Sequence, residues 1–368
     1  MELIILNCQI YNNMMNTTPI IDKKYLINVL HLRKTQLIAD IKICQVIESN
    51  TALTIKFKIL IKEDEHSDST RQYFIKTIKY NPKTNAYHDL SLKEVDFYKF
   101  IQNVTNVNLS LAQCFDAYIS EDKSEYLLLL EDLSNEFDGT DKVDLTLDSI
   151  WLSSACSLAK FHAAFWNSER IGSNDLPIDS IEKNSLNIIN IFESYEKFIK
   201  YVGNRFDVET LTIYGHALNI SVKLQTETNN RIRNKDNVTL KNGDSHIYNF
   251  MFSHSQNKSP IIIDFQFWGA GMGVEDVAHL TRESFPKIDG ERLHQLIMKK
   301  YYGTLLAQGV HDYSWDTCWN DYRKQVTSML LIPMWQYTFF NLEYDDWIND
   351  VSNLILNYKL LHCEQLEV

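Results

Sequence analysis

Alternating apolar and polar positions dominate the first part of the chain. From Leu53 to Ile61 every second residue is apolar, which predicts a strand half-buried in an antiparallel sheet. We predict neighbouring strands at Ile41–Ile47 and Gln72–Ile78, with a polar hairpin loop over Lys62–Arg71. A short helix over Asp22–Leu37, N-capped by its first residue, is expected to precede them.

Further along, the apolar positions recur every three or four residues, as in amphipathic helices. This spacing predicts helices at Ser91–Asn103, Asp148–Trp166 and Asp289–Ala307, the last again with its first residue as N-cap. The more polar region 171–236 is also mainly helical by pattern, for example at Ile188–Val202. Together with the strands, these helices predict a mixed α and β protein.

Composition narrows the class of protein. A chain of 368 residues has room for two domains at ~150 residues each. Its 45% apolar and 23% charged residues are ordinary for a globular protein. Forty-eight acidic against 36 basic side chains give a net charge of −12, which argues against a nucleic-acid partner and permits a cationic substrate.

The six cysteines are scattered without a Cys-x-x-Cys pair, so neither a zinc site nor a disulfide framework is indicated. We therefore expect a reducing, cytoplasmic location. No apolar run approaches the ~20 residues that cross a bilayer, and Glu2–Leu6 is too short for a signal peptide. We expect no membrane partner, a monomer or homodimer, and a poorly ordered leader over the first dozen residues.

Three polar residues carry the candidate chemistry. Asn249 follows Asp244 by five positions, and Asp264 ends the apolar run Ile261–Ile263. Phosphoryl transfer needs a carboxylate that accepts the hydroxyl proton, and an amide oxygen and a second carboxylate that hold magnesium. Protein kinases carry these groups in the same order. The alternative interpretation is structural, because Asn242–Gly243 between apolar residues also predicts a type I′ hairpin turn.

The segment Asn242–Asn249 reads Asn-Gly-Asp-Ser-His-Ile-Tyr-Asn. It resembles the His-Gly-Asp-x-His-x-x-Asn catalytic loop of the aminoglycoside phosphotransferase and choline kinase superfamily, with Asn242 in place of the leading His. The segments Ile263–Trp268 and Glu275–Leu280 resemble the Ile-Asp-Phe/Trp-Gln strand and the Asp-Leu-Ala segment of its ecdysteroid-kinase-like (CHK-kinase-like) branch. We place this resemblance from about Lys76 to the C-terminus.

The resemblance implies an α+β, bilobal protein-kinase-like fold. Residues 1–130 would form an N-lobe with an antiparallel sheet and one main helix, and residues 131–368 a larger, mostly helical C-lobe with the catalytic loop and the acceptor site. The buried-strand pattern of Glu125–Ser134 marks the boundary.

The resemblance also assigns roles in the C-lobe. Asp244 would be the catalytic residue that accepts or orients the acceptor hydroxyl, and Asn249 and Asp264 would bind Mg²⁺. His246 would position the loop or the γ-phosphate, although a packed structural histidine is an equal alternative. Asp276 would steady the catalytic loop through backbone hydrogen bonds.

In the N-lobe, Lys76 would bind the α- and β-phosphates of ATP, with Lys79 as an alternative, and Glu94 would pair with the lysine. Backbone groups from Leu130 to Leu133 would receive adenine. The loop that covers the phosphates would lie at Ser49 and Asn50.

Two departures from the family pattern favour a second hypothesis. Residues 1–138 contain no glycine, whereas the kinase phosphate loop uses glycine to bring backbone N–H groups close to the nucleotide. The loop also begins with Asn242. The chain could accordingly be a catalytically impaired, kinase-like protein that binds a nucleotide or small molecule.

The acceptor is less defined. A small-molecule hydroxyl acceptor is implied, and the acidic balance favours a cationic amine or guanidine, or else a specialised metabolite. The aromatic side chains beyond Ser314 are core residues by default, and some of them, with Glu343, Asp345 and Asp346, could form a pocket for a cation.

Overall fold

The computed structural model describes residues 23–32, 36–48, 52–62, 68–78, 85–104, 109–123, 125–173, 181–255, 258–282 and 290–367. At residues 47, 48, 52, 53, 68, 78, 85–88, 181–189, 344–347 and 349 it describes the backbone alone. The predicted leader, both predicted N-caps, Lys79 and the loop residues Ser49 and Asn50 lie outside the described residues.

The chain divides into two compact units. The first comprises Met1–Asn106, Leu111–Glu136 and Phe265–Phe267, and the second comprises Val107–Ser110, Phe137–Asp264 and Trp268–Val368. The functional roles predicted for residues 1–130 and 131–368 stay predictions.

The first unit contains an antiparallel sheet in the order β1-β2-β3-β5-β4. Its strands are β1 Leu37–Glu48, β2 Ala52–Lys62, β3 Asp68–Ile78, β4 Cys114–Ile119 and β5 Tyr126–Glu131. The strands predicted from alternation are present, and β1 and β3 begin four residues earlier than predicted. Strand β4 was not predicted.

Helix α1, Lys23–Val29, precedes the sheet, and the prediction of a helix reaching Leu37 is wrong. His31 takes a left-handed backbone conformation (φ 48°), which ends the helix, and Leu37 begins β1. The buried Leu26 and Leu30 join the apolar core of the sheet. The apolar spacing therefore reflects packing of one short helix and the turn that follows it.

Helix α2, Asn85–Gln102, begins six residues before the predicted start. Its buried face includes Val95, Phe97 and Tyr98. Phe97 stacks on the ring of Phe265, with centroids 3.6 Å apart and ring planes 4° from parallel. Phe265, the residue after Asp264, therefore belongs to the apolar core of the first unit.

The second unit is mostly helical, as predicted for this part of the chain. Its helices are α3 Asp148–Ala164, α4 Ile181–Val202, α5 Val208–Asn234, α6 Val274–Leu280, α7 Gly290–Ala307, α8 Trp315–Met329, α9 Ile332–Phe340 and α10 Tyr344–Leu360. Its short strands are β6 Phe137–Asp138, β7 Thr239–Lys241, β8 Phe250–Ser253, β9 Ile261–Ile262 and β10 Gly269–Gly271. Strand β8 pairs with β6 and β9, and β7 pairs with β10.

The strand pairing decides between the two interpretations of Asn242–Gly243. Lys241, the last residue of β7, pairs with Gly269 of β10, so the chain does not turn back on itself after Gly243. Gly243 has a positive φ of 85°, whereas Asn242 does not, and a type I′ turn needs positive φ at both positions. The hairpin interpretation is wrong.

The glycine-containing segment Gly269–Gly273 forms β10 and the start of α6. A Cβ at Gly271 would lie 2.8 Å from the side chain of Lys241, and a Cβ at Gly273 would lie 2.5 Å from Tyr301 Oη and 2.7 Å from His162 Nδ1. These glycines allow close packing against neighbouring side chains.

The aromatic C-terminal part of the second unit contributes to its core. Tyr322 is fully buried, and Trp315 and Trp319 stack with centroids 5.8 Å apart. Asp321 is also buried and accepts two hydrogen bonds from Arg231, at 2.6 and 3.0 Å.

Among the helices of the described ranges, none has the length and apolar character needed to cross a lipid bilayer.

We predict that Gly273→Ala destabilises the protein by about 1–3 kcal/mol, because the added methyl group overpacks a buried site where Tyr301 and His162 cannot move freely. The free energy of unfolding from urea denaturation checks this. Gly303→Ala is the matched control. Its Cβ would meet nothing within 4 Å in the exposed face of α7, so it should stabilise by about 0.5–1 kcal/mol. Equal effects of the two substitutions would contradict the packing argument.

Candidate active site

The carboxylate of Asp276, on α6, holds the backbone of the predicted catalytic loop. Its Oδ2 accepts a hydrogen bond from the amide of Asn242 at 2.7 Å, and its Oδ1 accepts one from the amide of Gly243 at 2.8 Å. The hydroxyl of Ser245 donates to the Asp276 carbonyl at 2.7 Å. The sequence-based prediction that Asp276 steadies this loop through backbone hydrogen bonds is confirmed.

Asp276 remains ionised although its side chain is fully buried. Burial raises the pKa of Asp276, but the hydrogen bond and charge of His162, the charge of Lys241 and the amide of Gly243 outweigh burial and hold it below its ordinary value. The Asp276 side chain is thus kept ionised, which is the form that accepts hydrogen bonds from the surrounding N–H groups.

A buried histidine contacts the Asp276 carboxylate, and a buried tyrosine contacts that histidine in turn. His162 Nε2 lies 3.0 Å from Asp276 Oδ2, and His162 Nδ1 lies 2.9 Å from Tyr301 Oη. Since the ionised Asp276 can only accept, Nε2 of His162 carries a proton and donates to Oδ2. His162 is a hydrogen-bonded core histidine.

Asn242 connects the loop to the backbone at Asp264. Its Oδ1 accepts from the amide of Asp244 at 3.0 Å, and its Nδ2 donates to the carbonyls of Asp264 at 2.9 Å and Ile263 at 3.3 Å. Asn242 has no exposed surface. The residue that replaces the expected histidine therefore joins two of the predicted site segments by itself.

Asn249 and Asp264 are brought together by the pairing of β8 with β9. Phe250 pairs with Ile262, and the amide of Ile263 donates to the carbonyl of Asn249 at 3.0 Å, so Asp264 is the next residue along. Asp264 takes a left-handed conformation with φ 59°, which a short polar residue tolerates better than most.

Asn249 is also tied to the loop. Its Nδ2 donates to the Asp244 carbonyl at 2.8 Å, so the amide group is held with its oxygen available as an acceptor. Amide and carboxylate oxygens are the donors that Mg²⁺ prefers, and it usually keeps other positions for phosphate and water. Within the described ranges no three His, Cys, Asp or Glu side chains cluster as a metal site. The pair Asn249 and Asp264 fits Mg²⁺ on the chemistry of its donors.

The carboxylate of Asp244 is 28% exposed and lies between two imidazoles. His246 Nε2 lies 3.7 Å from its Oδ2, and His279 Nδ1 lies 3.6 Å from its Oδ1. His246 was predicted as a site residue, and His279 was not. The only sequence cue for His279 is its position one helical turn after Asp276.

In the first unit, Lys76 Nζ and Glu94 Oε2 form an ion pair of 2.5 Å. Lys76 lies on β3 between Thr54 of β2 and Leu128 of β5, and Glu94 on α2 is 4% exposed. The side chain of Lys76 is 16% exposed. The predicted pairing of the two residues is present, and the binding of phosphate by Lys76 stays a prediction.

The predicted adenine-binding segment begins near the end of β5, which is the last strand of the first unit's sheet along the chain. Leu130 pairs with Phe74 of β3, and Leu133 begins a short 3-10 turn whose N-cap is Asp132. The amides of Glu131 and Asp132 already donate to the carbonyls of Gln113 and Gln72. The part of Leu130 and Leu133 in binding adenine stays a prediction, as do the parts of Ser49 and Asn50, which lie outside the described residues.

Comparison with known proteins defines the family. The model of the ecdysteroid kinase-like family matches residues 41–309, more than half of the chain. The chain belongs to the ecdysteroid kinase-like family. The match begins before Lys76, where we placed the start of the resemblance, and therefore includes most of the sheet. It ends before α8, so helices α8–α10 lie beyond the part that defines the ecdysteroid kinase-like family.

Solved structures agree on the fold. The GDP complex of a point mutant of aminoglycoside 2′-phosphotransferase-IIIa is 15% identical, with a TM-score of 0.51 over 92% of this chain and 97% of that chain. A protein assigned as an aminoglycoside phosphotransferase from Ralstonia eutropha JMP134 is 11% identical, with a TM-score of 0.54 over 92% and 97%. The predicted α+β, protein-kinase-like fold class is confirmed. A search of curated protein sequences finds no significant match.

The predicted cation pocket stays a prediction. Tyr337 stacks on Tyr201 with centroids 4.1 Å apart, and Tyr201 Oη donates to Glu343 Oε2 at 2.6 Å. Arg205 lies over the Tyr201 ring, 5.3 Å from its centroid. The side chains of Asp345 and Asp346 lie outside the described residues. In this member of the ecdysteroid kinase-like family the aromatic face of Tyr201 already carries a cation of its own chain.

We predict that Asn242→Asp destabilises the protein by about 3 kcal/mol or more at pH 7, because a buried carboxylate would replace the Nδ2 donor and face two carbonyl oxygens. Urea denaturation at pH 7 and pH 5 tests this. Stability should recover partly at pH 5, where a protonated carboxyl can donate again. Asn230→Asp, on the exposed face of α5, is the control and should change stability by less than about 0.5 kcal/mol. A tolerated Asn242→Asp substitution would show that the Nδ2 bonds do not hold the loop.

Proposed function

We propose that this protein is an ATP- and Mg²⁺-dependent phosphotransferase that phosphorylates a hydroxyl group of a small molecule. The observation that carries the proposal is the hydrogen-bond network of the second unit, in which Asn242 and Asn249 tie Asp244 to Asp264. Membership of the ecdysteroid kinase-like family supports it. One structure of similar fold is a complex of a phosphotransferase with GDP, which supports a nucleotide as phosphoryl donor.

In the proposed reaction, the acceptor oxygen attacks the γ-phosphorus of ATP. A new P–O bond forms, the P–O bond to the β-phosphate breaks, and ADP leaves with the electron pair of that bond. Asp244 accepts the hydroxyl proton, or orients the hydroxyl until the proton is lost late in the step. The carboxylate suits this task because its loop is held by buried hydrogen bonds and needs no rearrangement.

Asn249 and Asp264 would hold Mg²⁺ through an amide and a carboxylate oxygen. The ion, when bound, supplies positive charge against the charge that develops on the phosphates. Lys76 would bind the α- and β-phosphates as a point charge, and its ion pair with Glu94 restricts the lysine to one arrangement.

The acceptor that we propose is a hydroxylated cationic amine or guanidine, with a specialised metabolite as the other option. The net charge of −12 supports a cationic acceptor by attracting it over a distance. The predictions of a cytoplasmic location and of a monomer or homodimer stay predictions.

A catalytically impaired binding protein is the second candidate, and the absence of glycine from residues 1–138 favours it. The other argument for this candidate was that Asn242 replaces the expected histidine. That argument is weakened, because the side chain of Asn242 makes three hydrogen bonds that hold the loop. The two candidates differ in whether metal strengthens nucleotide binding.

Thermal unfolding with ATP separates the candidates. We predict that ATP with Mg²⁺ raises the midpoint of unfolding and that ATP with a chelator raises it less, because Asn249 and Asp264 would hold the metal and its positive charge would attract the phosphates. An ATP concentration of 100 times its dissociation constant corresponds to a stabilisation of about 2.7 kcal/mol. A shift that does not depend on Mg²⁺ would favour the impaired binding protein.

We predict that Asp244→Ala and Asp264→Ala each lower turnover by about 10²–10⁴-fold or more. Formation of ADP from ATP with a panel of hydroxylated amines and guanidines measures turnover. Asp244→Ala should keep the Mg²⁺-dependent thermal shift, whereas Asp264→Ala should lose it. Asp141→Ala, an exposed aspartate of the same unit, is the control and should keep both. An active Asp244→Ala, Asp264→Ala double variant would refute the assignment.

A further inference from the structure

His279 presents a buried ring nitrogen to the carboxylate of Asp244. Its Nδ1 lies 3.6 Å from Asp244 Oδ1, and the residue is 7% exposed. Within the described ranges this nitrogen has no hydrogen-bond partner. Buried polar atoms are nearly always paired, so an unpaired nitrogen that faces a functional carboxylate calls for a role.

The charge state of His279 restricts that role. Burial lowers its pKa well below 6.5, and the charges of Arg282, Lys241 and His246 lower it further, against an opposing effect of Asp276. His279 is therefore neutral at pH 7, with one N–H donor and one acceptor nitrogen. A ring nitrogen that faces a carboxylate oxygen is attracted to it only when it carries the hydrogen, which selects the Nδ1–H tautomer.

Helix α6 can place this donor accurately. His279 follows Asp276 by three positions, so both side chains project from the same face of the helix. Asp276 holds the amides of Asn242 and Gly243, one and two residues before Asp244. One rigid element thus holds the loop backbone and faces the carboxylate that the loop carries.

The other imidazole near Asp244 is placed differently. His246 lies on the loop itself, its side chain is 20% exposed, and its Nε2 lies 3.7 Å from Oδ2. The two oxygens of Asp244 therefore face two histidines, one on a buried helix and one on the partly exposed loop. Oδ2 faces the more exposed of the two imidazoles.

We propose that His279 is a positioning residue, which donates its Nδ1–H to Oδ1 of Asp244 and so leaves Oδ2 to meet the acceptor hydroxyl. The inference rests on the proposed function of Asp244. The distance of 3.6 Å exceeds a normal hydrogen bond by a few tenths of an ångström, and such contacts commonly shorten when substrate binds.

The first test needs no acceptor. Two-dimensional ¹⁵N–¹H spectra of histidine side chains in the full-length protein distinguish the Nδ1–H tautomer, the Nε2–H tautomer and the charged ring. The His279→Asn variant identifies the resonances of His279 by their loss. We expect the neutral Nδ1–H form at pH 7, and a changed Nδ1 shift in Asp244→Ala. An Nε2–H tautomer, a charged ring, or a shift that does not respond to Asp244→Ala would overturn the proposal.

The second test uses turnover with the acceptor found in the amine and guanidine panel. His279→Leu removes the donor and should lower kcat about 10- to 100-fold with the KM for ATP unchanged. His279→Asn, whose side-chain amide can donate from nearly the same place, should keep kcat within about threefold of the wild type. Thermal melts with ATP and Mg²⁺ check that both variants fold and bind nucleotide.

The outcomes separate this inference from the proposed function. If Asp244→Ala keeps its turnover, the proposed function fails. If Asp244→Ala is inactive but His279→Leu has the kcat of the wild type, the positioning role alone fails. If His279→Leu and His279→Asn lose kcat equally although both fold and bind nucleotide, hydrogen-bond donation is not the role of His279, and the proposal is overturned.

Discussion

The candidate site depends on a buried carboxylate that stays charged. Asp276 accepts hydrogen bonds from the amides of Asn242 and Gly243, so any other arrangement of the loop must first break both of them. Removing a charged acceptor from buried donors costs more than a single surface hydrogen bond contributes, so the cost of disorder at this point is high. His162 contacts the carboxylate through Nε2, and Tyr301 contacts the other ring nitrogen of His162. The position of Asp244 follows from this arrangement of core residues, which themselves take no part in the proposed chemistry.

The parts of the fold that could be predicted are those in which buried apolar residues recur at a regular spacing along the chain. Strand β2 buries every second side chain because one face packs on the core, and α3 carries apolar residues at helical spacing. Strand β4 was missed because a register shift between Cys114 and Asp116 interrupts its alternation. The end of α1 was missed because the left-handed turn at His31 uses neither glycine nor asparagine, the residues that usually signal it.

For the candidate site, residue type and chain order were enough to name the side chains of the proposed chemistry. Asp244, Asn249 and Asp264 could be named because phosphoryl transfer needs those side chains in that order. His279 could not be named, because its significance comes from a contact with Asp244 made across 35 positions and from the burial that keeps it neutral. The close packing of Gly271 and Gly273 could not be predicted for a similar reason, since the side chains of Lys241 and His162 that crowd them come from distant segments.

The amide at position 242 has a further consequence. An imidazole in that place would gain a proton as the surroundings became mildly acidic, and it would then lose its capacity to accept from the Asp244 amide. A carboxamide carries the same donor and acceptor across the whole physiological range. The bracing of the loop by Asn242 is therefore insensitive to acidification, and any loss of function in mildly acidic surroundings must originate in other groups.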